Sequence, residues 1–255
     1  MSRARPGWPV PVALIALSVI PLLAGALRLL QLAGGPAVMP ADDRFPGFPV
    51  ALIVHILGAA AYAVVGAFQF VPGFRRRHLS WHRRSGRVLA LAGLLVAGSA
   101  LWMTLGYAPK PGTGQLLFVM RLVFATGMVA SLVLGVGAAR AGRIPAHRAW
   151  MTRAYAIALA AGTQVFTEGF GEALFGVGEV RGDLAKGAGW IINLAVAEWV
   201  IRRPSRSLPR SDGVRRLRGD AQHEVRAVAA DAGAGADAGA HGRRGGGRWP
   251  AGRVH

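Results

Sequence analysis

The chain has 255 residues, of which 53% are hydrophobic, and 30 Lys and Arg against 12 Asp and Glu give a formal net charge of +18. The apolar residues fall in runs of about 20, the length of helix that crosses a hydrocarbon core of roughly 30 Å, so the composition excludes a soluble domain. Arginines beside such runs are topology signals, and the excess positive charge therefore does not indicate a nucleic-acid partner. The absence of cysteine excludes disulfides and thiolate metal sites.

The apolar runs predict an all-α integral membrane protein with about six transmembrane helices. The first run follows the basic segment MSRARPGW and is longer than the apolar region of a signal peptide, so we expect an uncleaved helix. Proline and glycine clusters separate the later runs and mark the loops. The predicted spans cover about residues 9–33, 48–71, 86–107, 115–139, 150–175 and 185–201, within a membrane domain of residues 1–203.

The distribution of arginines predicts the orientation. Two basic hinges, at residues 74–87 and 140–153, follow spans 2 and 4, whereas the loops on the other side carry few arginines and several carboxylates. Because Lys and Arg are enriched in cytoplasmic loops, both hinges and both chain termini are predicted to be cytoplasmic. Each hinge places a His-Arg pair before the following span, so spans 2–3 and 4–5 are predicted to form a tandem repeat of parallel topology.

The segment at residues 204–255 has a different composition from the spans. It is rich in Arg, Ala and Gly and lacks apolar periodicity. Such a segment buries too little apolar surface to offset its ordering entropy, so it is predicted to be a disordered basic tail. Its arginines near the membrane are expected to contact anionic lipid headgroups, at roughly 1 kcal/mol per charge.

Polar side chains inside the spans are the most informative residues of the chain. An ionisable group near the bilayer centre costs roughly 2.5 to 3.5 kcal/mol, so such groups tend to face the bundle interior. At about 1.5 Å per residue, His55, Arg121 and Glu168 reach a similar depth in the outer half of the membrane. Helical spacing adds further polar residues on the same faces. The predicted polar centre comprises His55, Tyr62, Gln69, Arg121, Gln164 and Glu168.

This polar centre has a functional and a structural interpretation. In the functional interpretation, it binds or passes a small solute or a proton. In the structural interpretation, Arg121 and Glu168 form a buried ion pair, and His55 is a hydrogen-bonded neighbour that holds the bundle together.

The two hinges have three interpretations. Their arginines alone fix the topology, or arginines and free amides at two helix N-termini bind an anionic headgroup or phosphate. In the third interpretation, His82 and His147 bind haem b between adjacent repeats. His78 and His82 lie in a proline-led loop without a nearby carboxylate, so no zinc site is predicted. The candidate hinge residues are His82, Arg83, Arg87, His147, Arg148 and Arg153.

Residues around both hinges also carry a resemblance to a known family. The most specific string is HRAWMTR at residues 147–153, followed by Tyr155 and Ala156. The other residues on which the resemblance depends are His55, Gly66, Gln69, Phe70, His82, Arg83 and Gly86. From about residue 55 to 167 the chain resembles domain-of-unknown-function family 2306, a family of predicted bacterial membrane proteins. The resemblance implies a multi-pass protein of the bacterial cytoplasmic (plasma) membrane, and it implies no activity.

These patterns support several hypotheses about function. GxSxG, Walker, HExxH and Rossmann fingerprints do not occur in the sequence, so no enzyme class is predicted. The leading hypothesis is a membrane protein, without a cofactor, that binds or passes a small solute or proton through the polar centre. The alternatives are a haem b-binding electron-transfer protein and a structural membrane component without a ligand. The predicted partners are the bilayer and its anionic headgroups, with no nucleic acid.

Overall fold

A computed structural model of the chain describes residues 8–45, 47–203, 222 and 224. The predictions for the tail concern residues 204–255, which lie outside the described residues except for positions 222 and 224. Every regular element in the described part is a helix. These helices are α1 (Pro9–Leu32), α2 (Val50–Phe68), α3 (Pro72–Arg77), α4 (Leu79–Gly106), α5 (Gln115–Arg140), α6 (Ile144–Ala158), α7 (Ala160–Phe175) and α8 (Glu179–Arg202).

The prediction of an all-α membrane protein with about six spans is confirmed. Five helices, α1, α2, α4, α5 and α8, are long and apolar enough to cross a membrane. Together α6 and α7 cover the remaining predicted span. Helices are the expected solution because hydrocarbon offers no partners to backbone N–H and C=O groups, which must therefore pair within the segment.

Three helices begin earlier than the predicted spans, and one of them is α6, which begins at Ile144 rather than near residue 150. The first hinge is largely helical, since α3 lies within it and α4 begins at Leu79 rather than near residue 86. Only His78 leaves helical geometry, with φ −125° and ψ 58°. At the opposite side of the bundle, α8 begins at Glu179, several residues before the predicted start. Arginine and glutamate have good helix propensity, so the helices extend beyond the apolar runs from which the boundaries were predicted.

The predicted fifth span is broken at Leu159, between α6 and α7. The break leaves the carbonyl of Ala156 without its usual helical donor, and the Nδ2 of Asn193 in α8 donates to it at 3.1 Å. Thr163 Oγ1 donates to the same amide side chain at 2.7 Å. A bend inside a membrane helix is tolerated where a neighbouring helix satisfies the freed backbone group.

The two hairpins predicted as a repeat are α2 with α4 and α5 with α6, and the helices of each pair pack together. Their hinges differ, because the first contains α3 whereas the second turns through Gly142 at φ +70°. We call the end of the bundle that holds both hinges the hinge end and the opposite end the far end. The two hinges, although separate in sequence, therefore lie at the same end.

Small residues allow the helices to approach closely, as is usual in membranes. A Cβ on Gly66 of α2 would lie 2.6 Å from the ring of Tyr155 in α6. A Cβ on Gly162 of α7 would clash with the backbone oxygen of Leu17 in α1. The buried core between the two hairpins includes Tyr62, Leu89, Val96, Met128, Leu132 and Tyr155.

Candidate functional site

At the hinge end, the last turn of α2 joins the two hairpins. Gln69 Nε2 donates to Ser85 Oγ of α4 at 2.7 Å. The rings of Phe70 and Tyr155 lie 4.9 Å apart, and the Tyr155 hydroxyl donates to the Ala63 carbonyl at 2.7 Å. These contacts fix the N-terminal part of α4 and the last turn of α6 against the C-terminal end of α2. The residues one or two turns before Ser85 and Tyr155 are thereby held near one another.

Basic residues of both hinges lie in this region. Burial, followed by the charges of Arg148 and Arg76, lowers the pKa of Arg75 from its usual value. The positive charges that act on His82 come from Arg75, His147 and Arg83. Three helices, α3, α4 and α6, thus bring basic side chains of both hinges together. We call Arg75, His82, His147 and Arg148 the hinge cluster.

No carboxylate is among the groups that act on Arg75 or His82 in the described part of the chain. Among the described residues, the carboxylate of α8 nearest this end is Glu198, and it already has a partner. Arg153 Nε and Nη2 donate to its two carboxylate oxygens at 2.5 and 3.1 Å. The hinge cluster therefore carries positive charge that the described carboxylates do not neutralise.

The histidines of the hinge cluster differ in their hydrogen bonds. The Nδ1 of His147 lies 2.9 Å from the Gly135 carbonyl, which can accept only from an Nδ1 that carries a proton. The Nδ1 of His82 and the Oε1 of Gln69 are buried without a hydrogen-bond partner among the described residues. Buried polar atoms are normally satisfied, so such exceptions mark places where water or a ligand supplies the partner.

The remaining hinge candidates lie outside this arrangement or at its edge. Arg83 and Arg87 are exposed on α4, and Arg83 acts on His82 by its charge. Arg153, which was grouped with the hinge residues, is committed to Glu198 and packs over the Trp150 ring at 4.7 Å. The structure therefore places His82, His147 and Arg148 in the hinge cluster, whereas Arg153 forms an ion pair that links α6 to α8.

The six residues of the predicted polar centre do not form one cluster. His55 Nδ1 lies 3.1 Å from both the Val96 carbonyl and Ser99 Oγ of α4. Tyr62 packs in the core, with its ring centroid 5.7 Å from that of Tyr155. Gln69 belongs to the hinge end, as described above. The polar face predicted on α2 is thus distributed along its contacts with α4 and α6.

The other three residues lie towards the far end. Glu168 pairs with Lys186 of α8 at 2.7 Å, and Gln164 Nε2 donates to the Lys186 carbonyl at 3.0 Å. Arg121 is under the charges of Asp183 and Glu168 but makes no ion pair among the described residues. The direct Arg121–Glu168 pair of the structural interpretation was therefore wrong, because Lys186 of α8 is the partner of Glu168.

Asp183 is the polar residue that the sequence reasoning missed. It is only 1% exposed, and its carboxylate accepts from the backbone N–H of Gly114 at 3.1 and 3.2 Å and of Leu117 at 3.0 Å. It thereby caps the N-terminus of α5, where the preceding residue, Gly114, has no side chain to do so. A capping residue supplied by another helix leaves no local pattern. We call Arg121, Glu168, Asp183 and Lys186 the far-end cluster.

The comparisons with known proteins agree with the fold. The sequence profile of a family described as a predicted membrane protein, DUF2306, matches residues 52–201. This match runs from the second residue after Val50 to the end of α8 and includes the hinge cluster and the far-end cluster. No curated protein and no solved structure matches the chain.

Proposed function

We propose a function from the hinge geometry, because the chain belongs to the DUF2306 family of predicted membrane proteins. The description of this family names a location and no reaction. The protein binds a phosphate-type anion in the hinge cluster, at the membrane surface predicted to be cytoplasmic. The observation that carries the proposal is the buried Nδ1 of His82, which has no hydrogen-bond partner among the described residues and lies in the field of basic residues from both hinges.

The chemistry of these side chains suits a phosphate group. Arginine presents a planar fork of donors that binds phosphate oxygens in a bidentate manner, and Arg75 and Arg148 come from opposite hinges. His82 adds a buried ring nitrogen without a protein partner. An anion that contacts both arginines would also relieve their mutual repulsion and couple α3 to α6.

Two sources offer this chemistry, a lipid headgroup and a soluble phosphate compound. We expect purified full-length protein in phosphatidylcholine nanodiscs to bind inorganic phosphate, measured by calorimetry, if the ligand is soluble. If the ligand is a lipid, we expect phosphatidate added to the nanodiscs to bind and inorganic phosphate to compete weakly. The full chain is used in both arms, so the fold and the bilayer are the same.

The matched variants are Arg75→Gln with Arg148→Gln and, as control, Arg84→Gln. Arg84 is exposed in the same hinge and carries the same charge. At about 1 kcal/mol per charge, the double variant should lose roughly thirtyfold in affinity. The control should change affinity by less than about twofold. Equal losses in both variants, or no saturable binding of either probe to the wild type, would refute the proposal.

The far-end cluster supports a second candidate function, the binding or passage of a small solute or proton. The specific observation is Arg121, an intramembrane cation that has no direct ion-pair partner among the described residues and lies in the field of Asp183 and Glu168. Intramembrane ionisable residues often mark solute and proton pathways. Proteoliposomes with a trapped pH dye test this candidate. A proton flux that is lost in Arg121→Gln but kept in Arg44→Gln would support it, and the absence of any flux in the wild type would refute it.

The haem hypothesis keeps one supporting contact. Metal-binding histidines commonly donate their second ring N–H to a carbonyl, as His147 does to Gly135. His147 also lies near enough to His82 for their charges to interact. The visible spectrum of protein purified from haem-replete cells separates this hypothesis from the anion site. A Soret band with sharp reduced bands, lost in His147→Ala, would support haem, whereas colourless protein would remove it.

A further inference from the structure

An open apolar groove runs between α7 and α8, away from the hinge cluster. Its volume is about 690 Å³. Thr163 and Thr167 contribute the few polar atoms in its wall, and Arg181 lies at its outer end. The apolar side chains that line it are mainly Phe166, Phe170, Leu174, Phe175, Leu184 and Ile192.

The protein itself leaves this groove uncovered. The side chains of Phe170 and Leu174 are 67% and 72% exposed, although they belong to a predicted transmembrane span. Within a bilayer, water does not cover such a surface, so its neighbour is either hydrocarbon or another apolar helix. The groove is therefore covered either by lipid hydrocarbon or by an apolar helix.

The length of the groove distinguishes the two classes. From Arg181 to Ile192, α8 rises about 16 Å at 1.5 Å per residue. This is about half of a hydrocarbon core of roughly 30 Å, or the depth of one leaflet. A transmembrane helix from a second protein would continue across both leaflets, whereas a lipid chain ends near the midplane. The dimensions therefore match a single lipid chain.

The outer end of the groove carries one cation. Arg181 Nη1 donates to the Phe175 carbonyl at 2.5 Å, which fixes the guanidinium at the mouth of the groove. Its remaining N–H donors are available, since a guanidinium has five. Among the described residues Arg181 has no ion-pair partner. A lipid phosphate at this position would receive a charge-assisted contact at headgroup level.

We propose that the α7–α8 groove is a site for one anionic phospholipid, with a hydrocarbon chain in the groove and the phosphate at Arg181. This site lies in the leaflet opposite the hinge cluster and is independent of the anion proposed there. It gives the protein a lipid preference in the outer leaflet that the apolar surface alone would not provide.

The absence of cysteine in the chain makes a direct test practical. A fluorophore is attached to Leu174→Cys at the groove rim, and the matched control is Leu105→Cys near the far end of α4. The control side chain has similar exposure, 66%, but lies outside the groove. Both proteins are reconstituted with increasing fractions of chain-spin-labelled phosphatidylglycerol or phosphatidylcholine, and quenching is measured.

We expect the groove fluorophore to be half-quenched at an about fivefold lower fraction of phosphatidylglycerol than the control fluorophore, the effect of one favourable charge. Arg181→Gln should remove this preference, and Ala188→Phe, which fills the groove, should remove the excess quenching by either lipid. Equal quenching at both positions would overturn the proposal. It would also be overturned if the groove fluorophore resisted quenching and two labelled copies showed energy transfer, since a second copy would then cover the groove.

Discussion

Replacing Asp183 with alanine should destabilise the far end of the bundle strongly. Its carboxylate is almost fully buried and accepts from two backbone N–H groups at the start of α5. Each buried donor that loses its acceptor costs about 1 to 3 kcal/mol, so we expect a loss of about 2 to 6 kcal/mol. The negative charge beside the α5 N-terminus is lost as well, which moves the result towards the upper part of this range.

Thermal unfolding in detergent, followed by size-exclusion chromatography of heated samples, measures this loss. For a domain of about 200 residues the expected fall in Tm is of order 5 to 20 °C. Asp183→Asn keeps one acceptor oxygen and should show a smaller fall. The matched control is Glu172→Ala, which removes an exposed carboxylate from the same end. If Asp183→Ala and Glu172→Ala had the same Tm as the wild type, the proposed capping role would be refuted.

Three further predictions concern packing, charge and orientation. Gly162→Ala should lower the folded yield, with an overpacking cost of about 1 to 3 kcal/mol because the α1 backbone lies against it, whereas Gly169→Ala, in open space, should not. Glu168→Ala should lower Tm by leaving the half-buried Lys186 without its partner, and adding Lys186→Ala should restore part of the loss; strictly additive losses would contradict the pair. Reporter fusions after residues 77 and 143 should indicate the cytoplasm and a fusion after residue 110 the outside, and a reversed result at any of the three would contradict the orientation.

The number of spans could be predicted because it depends on a property of each segment alone, its apolar length. The break at Leu159 depends on Asn193, which lies in another helix and satisfies the freed carbonyl. The start of α8 similarly depends on a tertiary contact, since Asp183 is buried against α5. Features that arise between helices leave no periodic pattern within either one, so the sequence did not predict them.

In the candidate sites, too, features within one segment were predicted and contacts between helices were not. The repeat of His-Arg pairs predicted that His82 and His147 enter at equivalent positions, and His147 is among the groups that act electrostatically on His82. The polar centre was built from depths counted along predicted helices, and these depths did not specify which faces meet. For the same reason, these depths did not indicate that Lys186 of α8 is the partner of Glu168.

The break between α6 and α7 has a consequence for the biogenesis of the protein. Neither half is long enough to cross the hydrocarbon core alone, and their charged residues include Arg153 and Glu168. The partners of both charges, and the amide that caps the broken backbone, all come from α8. During synthesis, the charges and the freed carbonyl of this span therefore have no partners until α8 has also been made. Release of α6–α7 from the translocon should accordingly be coupled to the synthesis of α8.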